Sequence, residues 1–262
     1  MDPSGTKLVL GLGNPGPAYS DTRHNVGFMA LDAYVSGRPG AAGPPSNFKS
    51  SVIAVGSKGG SRVILAWPQT YMNLSGHAAR ELVAFYKVSP ADGLLVVHDE
   101  MDLPPGKVKA SRGGGSAGHR GIDSIKEFVH ADFARLRIGI GRQPKDFWGG
   151  STGNADYVLS PFLDEELPEV EDSLKAASSL IAVWIKDGLA AAQRLGNRRP
   201  PKPKKEKEAA GDLEGGKGRE DSGVRKAPGP AAGDVPGGPG GACGPGATEG
   251  RDGPGGPGGA AG

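Results

Sequence analysis

The sequence predicts an α/β layered domain with a central sheet, and three observations carry that prediction. Short apolar runs of strand length alternate with segments of helical spacing. Glycine and proline punctuate the boundaries between them. This texture ends near Asn197, after which the chain is Gly, Pro, Ala and Lys with hardly a large apolar residue. Such a segment cannot offset its ordering entropy. Residues 1–197 are therefore read as one globular domain and residues 198–262 as a disordered tail.

Taken in order, Lys7 to Leu12 is a short apolar strand that runs into Gly11-Leu-Gly-Asn-Pro-Gly-Pro17. Val26 to Val35 has helical spacing and stops near Gly37 and Pro39. Val52–Val55 and Arg62–Trp67 read as paired strands across a turn at Gly59-Gly60. Leu74, Ala78, Leu82 and Phe85 repeat as one helix face, with Asn73 or Ser75 expected to cap its start. Leu94–His98 is a continuous apolar strand whose end delivers Asp99, and a further strand surrounds Val108. The loop Gly113–Gly118 leads into a helix from about Gly121 to Val129, followed by the alternating strand Arg135–Gly141. Two helical segments, 164–186 and 188–195, close the domain. No internal repeat of fixed period is present.

Charge is informative by its distribution rather than its sum. Twenty basic and twenty acidic residues leave the domain neutral, while eleven and nine in the tail supply the whole surplus of +2. Within the domain, Lys107 to Lys145 holds nine Lys/Arg against three Asp/Glu. A basic sector on a neutral domain suits local docking of a phosphate backbone, or is simply a solvated face. The single cysteine, Cys243, falls in the tail, which excludes an intrachain disulfide and a cysteine-based zinc site. No apolar run approaches the ~18 residues of a membrane span, and Met1-Asp2-Pro3 does not begin a signal or transit peptide. The expectation is a soluble intracellular protein, cytoplasmic, or plastid or mitochondrial if a transit peptide precedes this sequence.

Two short patterns point to chemistry that their contexts do not support. Gly11-x-Gly13-x-x-Gly16 has dinucleotide-binding spacing, but Pro15 removes one backbone donor and Gly16-Pro17 delays the helix that must follow. Gly114-Gly-Ser116-Ala-Gly118 has nucleophile-elbow spacing, yet only His119 and His130 follow it and no acid precedes a well-placed late histidine. That segment reads better as a ligand-wrapping loop.

The polar residues at the ends of apolar elements form a more coherent set. Asn14 follows the first strand, His24 and Asn25 precede the first helix, Asn73 precedes the next and Asp99 ends a strand. Loops at the carboxyl ends of strands are where α/β proteins place their sites. A carboxylate that accepts from one imidazole nitrogen makes the other a better base, so His24 with Asp99 could activate water directly. Asparagine amides could then hold a carbonyl and donate to developing negative charge. Standing alone, Asn14 and Asn73 would be turn or capping residues.

They do not stand alone. Val9-Leu-Gly-Leu-Gly-Asn-Pro-Gly-Pro-Ala-Tyr19, continued by Thr22-Arg-His-Asn-Val-Gly-Phe28, closely resembles the N-terminal signature of bacterial-type peptidyl-tRNA hydrolases. The resemblance continues at Pro68–Gly76, Val97–Gly106, Gly113–Gly121, Arg135–Gly141 and Asp156–Phe162, in the family's order. It implies a single α/β domain with a twisted mixed sheet flanked by helices, acting on peptidyl-tRNA as a monomer without metal or organic cofactor. By that resemblance His24 is the general base, Asp99 its orienting partner, and Asn14 and Asn73 hold the substrate carbonyl and steady the oxyanion. Tyr19 and Met72 match the peptide groove, and His119 matches a residue near the acceptor end of tRNA. Asn25, Tyr71 and Arg120, beside these positions, join them as substrate-contacting candidates. Lys109 and Arg137 match basic residues that engage tRNA phosphate.

Two positions depart from the family pattern. Arg120 stands where an asparagine is usual, replacing a short amide by a long permanent cation that reaches a phosphate but accepts no hydrogen bond. Ser111 stands where a basic residue is common, with Arg112 beside it. The second functional reading is a non-catalytic RNA-binding relative, of the kind that serves group II intron splicing in plant organelles; Arg120 and the tail point that way. Arg198-Arg-Pro-Pro-Lys-Pro-Lys-Lys-Glu-Lys207 is read as a solvated linker rather than an RNA-binding arm or a targeting signal.

Overall fold

In a computed structural model, which describes residues 5–143 and 153–197, seven strands form one mixed sheet with helices on both faces. The expected tail, residues 198–262, lies outside the described residues. The strands are β1 (Lys7–Gly11), β2 (Ser46–Phe48), β3 (Ser51–Lys58), β4 (Ser61–Pro68), β5 (Leu94–Glu100), β6 (Val108–Arg112) and β7 (Ala134–Gly139), in the spatial order β2-β3-β4-β1-β5-β7-β6. The central four, β4, β1, β5 and β7, run parallel, and the outer pairings β2/β3, β3/β4 and β6/β7 are antiparallel. Parallel strands must be covered on both faces, which is why β5 opens on the apolar run Leu94–Val97 and is buried along its whole length, the polar residues His98–Glu100 included.

Strand alternation sorts the core into two layers. Val9, Val97, Leu136 and Ile138 pack against α1 (Val26–Ser36) and α6 (Leu167–Gly196). Leu8, Leu10, Val96 and Ile64 pack against α2 (Ser75–Tyr86) and α4 (Arg120–Phe128). Two short helices, α3 (Pro90–Gly93) and α5 (Asn154–Val158), complete the described elements together with single 3-10 turns. Among the described residues no helix is long and apolar enough to cross a membrane.

Several local expectations are corrected. Neither Asn73 nor Ser75 caps α2: a 3-10 turn, Met72–Leu74, precedes the helix, Asn73 is exposed, and Ser75 Oγ donates to the Met72 carbonyl at 2.8 Å. Leu74 and Phe85 are 42% and 58% exposed, so the buried face of α2 is Gly76, Ala78, Ala79 and Leu82. At Gly76 the reason is that α2 crosses α4 closely: a Cβ there would stand 2.1 Å from the Ser124 carbonyl oxygen. The break expected between the last two helical segments is present: α6 is interrupted at Gly188, whose φ of 77° is non-helical and open to glycine. The edge strand β2 and helix α5 were not anticipated.

One close approach sets the position of the site. A Cβ on Gly27, in the first turn of α1, would stand 2.5 Å from the carbonyl oxygens of Leu12 and Val97. The helix therefore starts against the ends of β1 and β5, carrying His24 and Asn25 with it. Helix propensity alone favours Ala over Gly by about 1 kcal/mol, whereas overpacking costs about 1–3 kcal/mol. Gly27→Ala is expected to lower stability, read as an earlier urea midpoint at unchanged slope; a later midpoint would show that the contact is soft.

Candidate active site

The carboxyl ends of β1, β4 and β5 open into a cavity of about 450 Å³. Its lining includes Asn14, Tyr19, His24, Tyr71, Met72, Asn73, Asp99, His119 and Arg120, so nine of the twelve expected site residues meet there, although they span more than a hundred positions in sequence. Ser116, Ala117 and Gly118 of the Gly-rich loop form one wall, and Asn154, Ala155, Val158 and Leu159 form another.

Asp99 is the hub. It is 4% exposed, and its Oδ1 lies 2.9 Å from both His24 Nδ1 and His119 Nε2. His119 Nδ1 accepts from the backbone N–H groups of Gly121 and Ile122, at 3.1 and 3.4 Å, so this side chain caps α4 and presents Nε2–H to the carboxylate. With His24 donating from Nδ1, its Nε2 keeps the lone pair, on a side chain that lines the cavity. Burial alone would raise the Asp99 pKa, but the two imidazoles outweigh it and hold the carboxyl far below the usual carboxylate range. For His24, burial lowers the pKa; the Asp99 charge and hydrogen bond outweigh it, against a smaller opposing effect of Arg120, and the value ends above the ordinary 6.5.

His24, Asp99 and His119 also form a group of potential metal ligands whose donor atoms lie within 4.8 Å of one another. Both ring nitrogens, however, address the same carboxylate oxygen at hydrogen-bond distance, so the arrangement is filled by protons.

The asparagines divide the work. Asn25 is 2% exposed and does not line the cavity; its Oδ1 accepts from Asn14 N–H at 2.8 Å and its Nδ2 donates to Asn14 C=O at 3.0 Å. Expected to touch substrate, Asn25 is placed as a clamp on the Asn14 backbone. Asn14 Oδ1 accepts from Met72 N–H at 2.7 Å, which commits the amide oxygen and leaves the NH₂ group as donor. Asn73 is exposed on the cavity wall, and Tyr19 and Tyr71 meet edge-on at 6.4 Å beside it.

Lys109 and Arg137 are cross-strand partners on β6 and β7, away from the cavity lining. Lys109 is exposed, while Arg137 Nε donates to Glu100 at 2.9 Å. Ser116 Oγ accepts from Gly118 N–H at 3.3 Å, a local contact that matches a loop rather than a nucleophile elbow.

Arg23 is a residue that sequence reading missed. It is fully buried, one position before His24, and its guanidinium donates to Ser160 Oγ at 2.7 Å, to the Pro161 carbonyl and to Glu166. It also lies over the rings of Tyr157 and Phe162, at 4.5 and 5.2 Å. The turn bearing His24 is thereby fastened to the segment that follows α5. Nothing in the local pattern reveals this, since the partners lie about 140 positions downstream.

A mixed α/β sheet with a histidine–carboxylate pair and asparagines gathered at its strand ends is the scaffold of a hydrolase. A sequence profile of the peptidyl-tRNA hydrolase family matches residues 8–207, and the chain belongs to that family. Curated peptidyl-tRNA hydrolases from a Mycobacterium species and from Thermus thermophilus are 43% and 45% identical to it over 189 and 184 residues. These alignments cover 72% and 70% of this chain and 95% and 91% of the relatives. The crystal structure of peptidyl-tRNA hydrolase from Acinetobacter baumannii superposes with a TM-score of 0.65 at 30% identity, covering 74% of this chain and 95% of that one.

Proposed function

We propose that this chain cleaves peptidyl-tRNA by direct attack of a water molecule that His24 deprotonates, with Asp99 as the orienting group. As a member of the peptidyl-tRNA hydrolase family the chain is an ester hydrolase. The observation that carries the division of roles is the single Asp99 oxygen that accepts from both His24 and His119. It assigns the His24 proton to Nδ1 and leaves Nε2 to take a proton from water.

In the reaction, water oxygen bonds to the ester carbonyl carbon while its proton passes to His24 Nε2. The carbonyl becomes an oxyanion, toward which the NH₂ groups of Asn14 and Asn73 donate. Collapse breaks the bond to the ribose oxygen, which recovers the proton from the imidazolium, and tRNA and a peptide carboxylic acid leave. Tyr19, Tyr71 and Met72 supply the surface for the peptide. His119 and Arg120 face the acceptor end, with Arg120 in reach of its terminal phosphate, and Lys109 and Arg137 engage phosphates farther along the tRNA. The named relatives are all peptidyl-tRNA hydrolases, which favours this reading over the non-catalytic splicing relative. Cleavage of a labelled N-blocked aminoacyl-tRNA by the purified protein tests it; tight binding without cleavage would reverse it.

Asp99→Asn separates charge from geometry. Because both imidazoles address Oδ1, an amide oxygen there keeps both contacts and the tautomer but loses the charge. Charge-assisted hydrogen bonds contribute about 1.5–3 kcal/mol, so the expected loss in kcat/KM is roughly 10- to 100-fold. The acid limb of the profile should move to lower pH, because the Asp99 charge is what raises the His24 pKa. An unmoved limb would show that His24 is not the titrating base.

A further inference from the structure

Behind the catalytic histidine lies a second buried cluster that the hydrolytic mechanism does not use. Arg135, on β7, is 2% exposed, and His98, the residue before Asp99 on β5, is 1% exposed. Arg135 Nε and one terminal nitrogen lie 3.1 and 3.0 Å from His98 Nε2. The other terminal nitrogen donates to the carbonyls of Gly113 and Gly115, at 3.1 and 2.6 Å. His98 Nδ1 in turn lies 2.6 Å from the backbone carbonyl of Asp99, and the His98 ring meets His119 edge-on at 4.9 Å.

These contacts fix the protonation of His98. Donation from Nδ1 to the Asp99 carbonyl leaves Nε2 as the acceptor for the guanidinium, so the imidazole is neutral. Burial, then the neighbouring His119 and Arg135, hold its pKa well below the ordinary 6.5. Arg135 is the costlier member, because its donors go to carbonyls and a neutral ring rather than to a carboxylate. The acidic charge that acts on it, Glu100, is hydrogen-bonded to Arg137 instead, and a buried cation so placed is retained at a cost in stability, so a function for it is expected.

The loop it grips is built to be gripped. Gly113 and Gly114 have φ of 54° and 90°, a conformation that residues other than glycine rarely adopt. Lys126 Nζ takes the carbonyl of Gly114, between the two held by Arg135. Downstream, Ser116, Ala117 and Gly118 line the cavity, and the loop ends at His119 on Asp99.

We propose that Arg135 and His98 are positioning residues for hydrolysis: they anchor the start of the Gly113–Gly118 loop to the sheet and so set His119 against Asp99. This rests on the assignment of His24 and Asp99 given above. The influence on His24 is indirect. His119 Nε2–H shares the carboxylate with His24; without that donor, Asp99 Oδ1 is a stronger acceptor for His24 alone, and the His24 pKa rises further. The other charged group acting on His24 is Arg120, at the start of α4, and it is untouched by the change.

The test is a double-mutant cycle of Arg135→Lys with His119→Ala, measured as kcat, KM and pH profile on an N-blocked aminoacyl-tRNA. Lysine keeps the charge, and hence the field at His24, but cannot span two carbonyls and an imidazole. Arg135→Lys is expected to lower kcat/KM about 10- to 100-fold, as displaced catalytic groups do, and to move the acid limb to higher pH, as His119→Ala should. The double variant should then be no worse than His119→Ala alone. Losses that multiply, or an acid limb that stays in place, would overturn the proposal, because a general loss of stability shifts neither. If Arg135→Lys does not fold, His98→Gln enters the same cycle with the same expected and contrary results. Absence of turnover by the wild type would instead overturn the assignment of the hydrolytic centre.

Discussion

His24→Ala is expected to lower kcat by about 10²–10⁴-fold, the range for removing a positioned general base, with the fold retained. Asp99 keeps its bond to His119 in this variant, so the carboxylate is not left unpaired. Only the neutral imidazole accepts a proton, so wild-type kcat/KM should fall as pH drops through the His24 pKa, above the ordinary 6.5. The residual activity of the variant should lack that limb. Stability runs the other way. A histidine whose folded pKa is raised contributes stability that is fully present below its unfolded value and is lost as pH rises through the folded value. The wild type should therefore exceed the variant in Tm by more on the acid side of this window than on the alkaline side. Near-normal turnover in the variant would remove His24 from the mechanism.

Arg23→Met has the largest expected effect on stability. The guanidinium side chain is fully buried and its partner Glu166 is 18% exposed, so truncation strands a poorly solvated carboxylate. Breaking such pairs costs about 3–5 kcal/mol, and the partial exposure of Glu166 argues for the lower end. About 3 kcal/mol corresponds to roughly 6–12 °C in Tm for a domain of this size. The loss should carry a kinetic signature. Arg23 joins the His24 turn to Ser160 and Pro161, immediately after the wall formed by Val158 and Leu159. KM for peptidyl-tRNA should therefore rise at temperatures where the variant is still folded. Calorimetry with steady-state kinetics on the same preparation separates the two effects, and a Tm within a degree or two of wild type would show the ion pair to be dispensable.

How much of this was legible in the sequence differs between layers. Strands β1, β4 and β5 were readable because each carries a short apolar run bounded by Gly, Pro or polar residues, a composition that burial on both sheet faces enforces, and β7 by its alternation. Helix α2 was located correctly, and its buried face only in part: Ala78 and Leu82 are buried as expected, Leu74 and Phe85 are not. Helical periodicity marks Leu74 and Phe85 as apolar; it cannot show that α4 passes so close to Gly76 that a Cβ there would meet the Ser124 carbonyl. The exposed edge strand β2, Ser-Asn-Phe, has no alternation to read in three residues.

The site shows the same division. His24, Asp99, Asn14 and Asn73 were identifiable because they sit where strands and helices end, in motifs that resemble one family throughout the domain. Asn25 was assigned to the substrate from its place beside His24, whereas its amide spans the Asn14 backbone. Arg23, His98 and Arg135 lie inside those motifs, yet nothing in them marked the three as buried or gave them a role. An arginine in a sequence reads as a surface charge, and its burial depends on acceptors that the fold brings from far away.

By itself, then, the sequence determined the α/β layering, the family and the residue types available for chemistry, because these follow from local periodicity and from motifs of contiguous residues. Tertiary structure decided which atoms share a proton. That Asp99 Oδ1 serves two histidines, that Asn14 Oδ1 is committed to the Met72 N–H, and that two buried arginines hold segments adjoining the cavity walls all depend on contacts between distant segments. Hydrogen bonds are short-ranged and directional, so their partners are settled only when packing has placed the strand ends side by side.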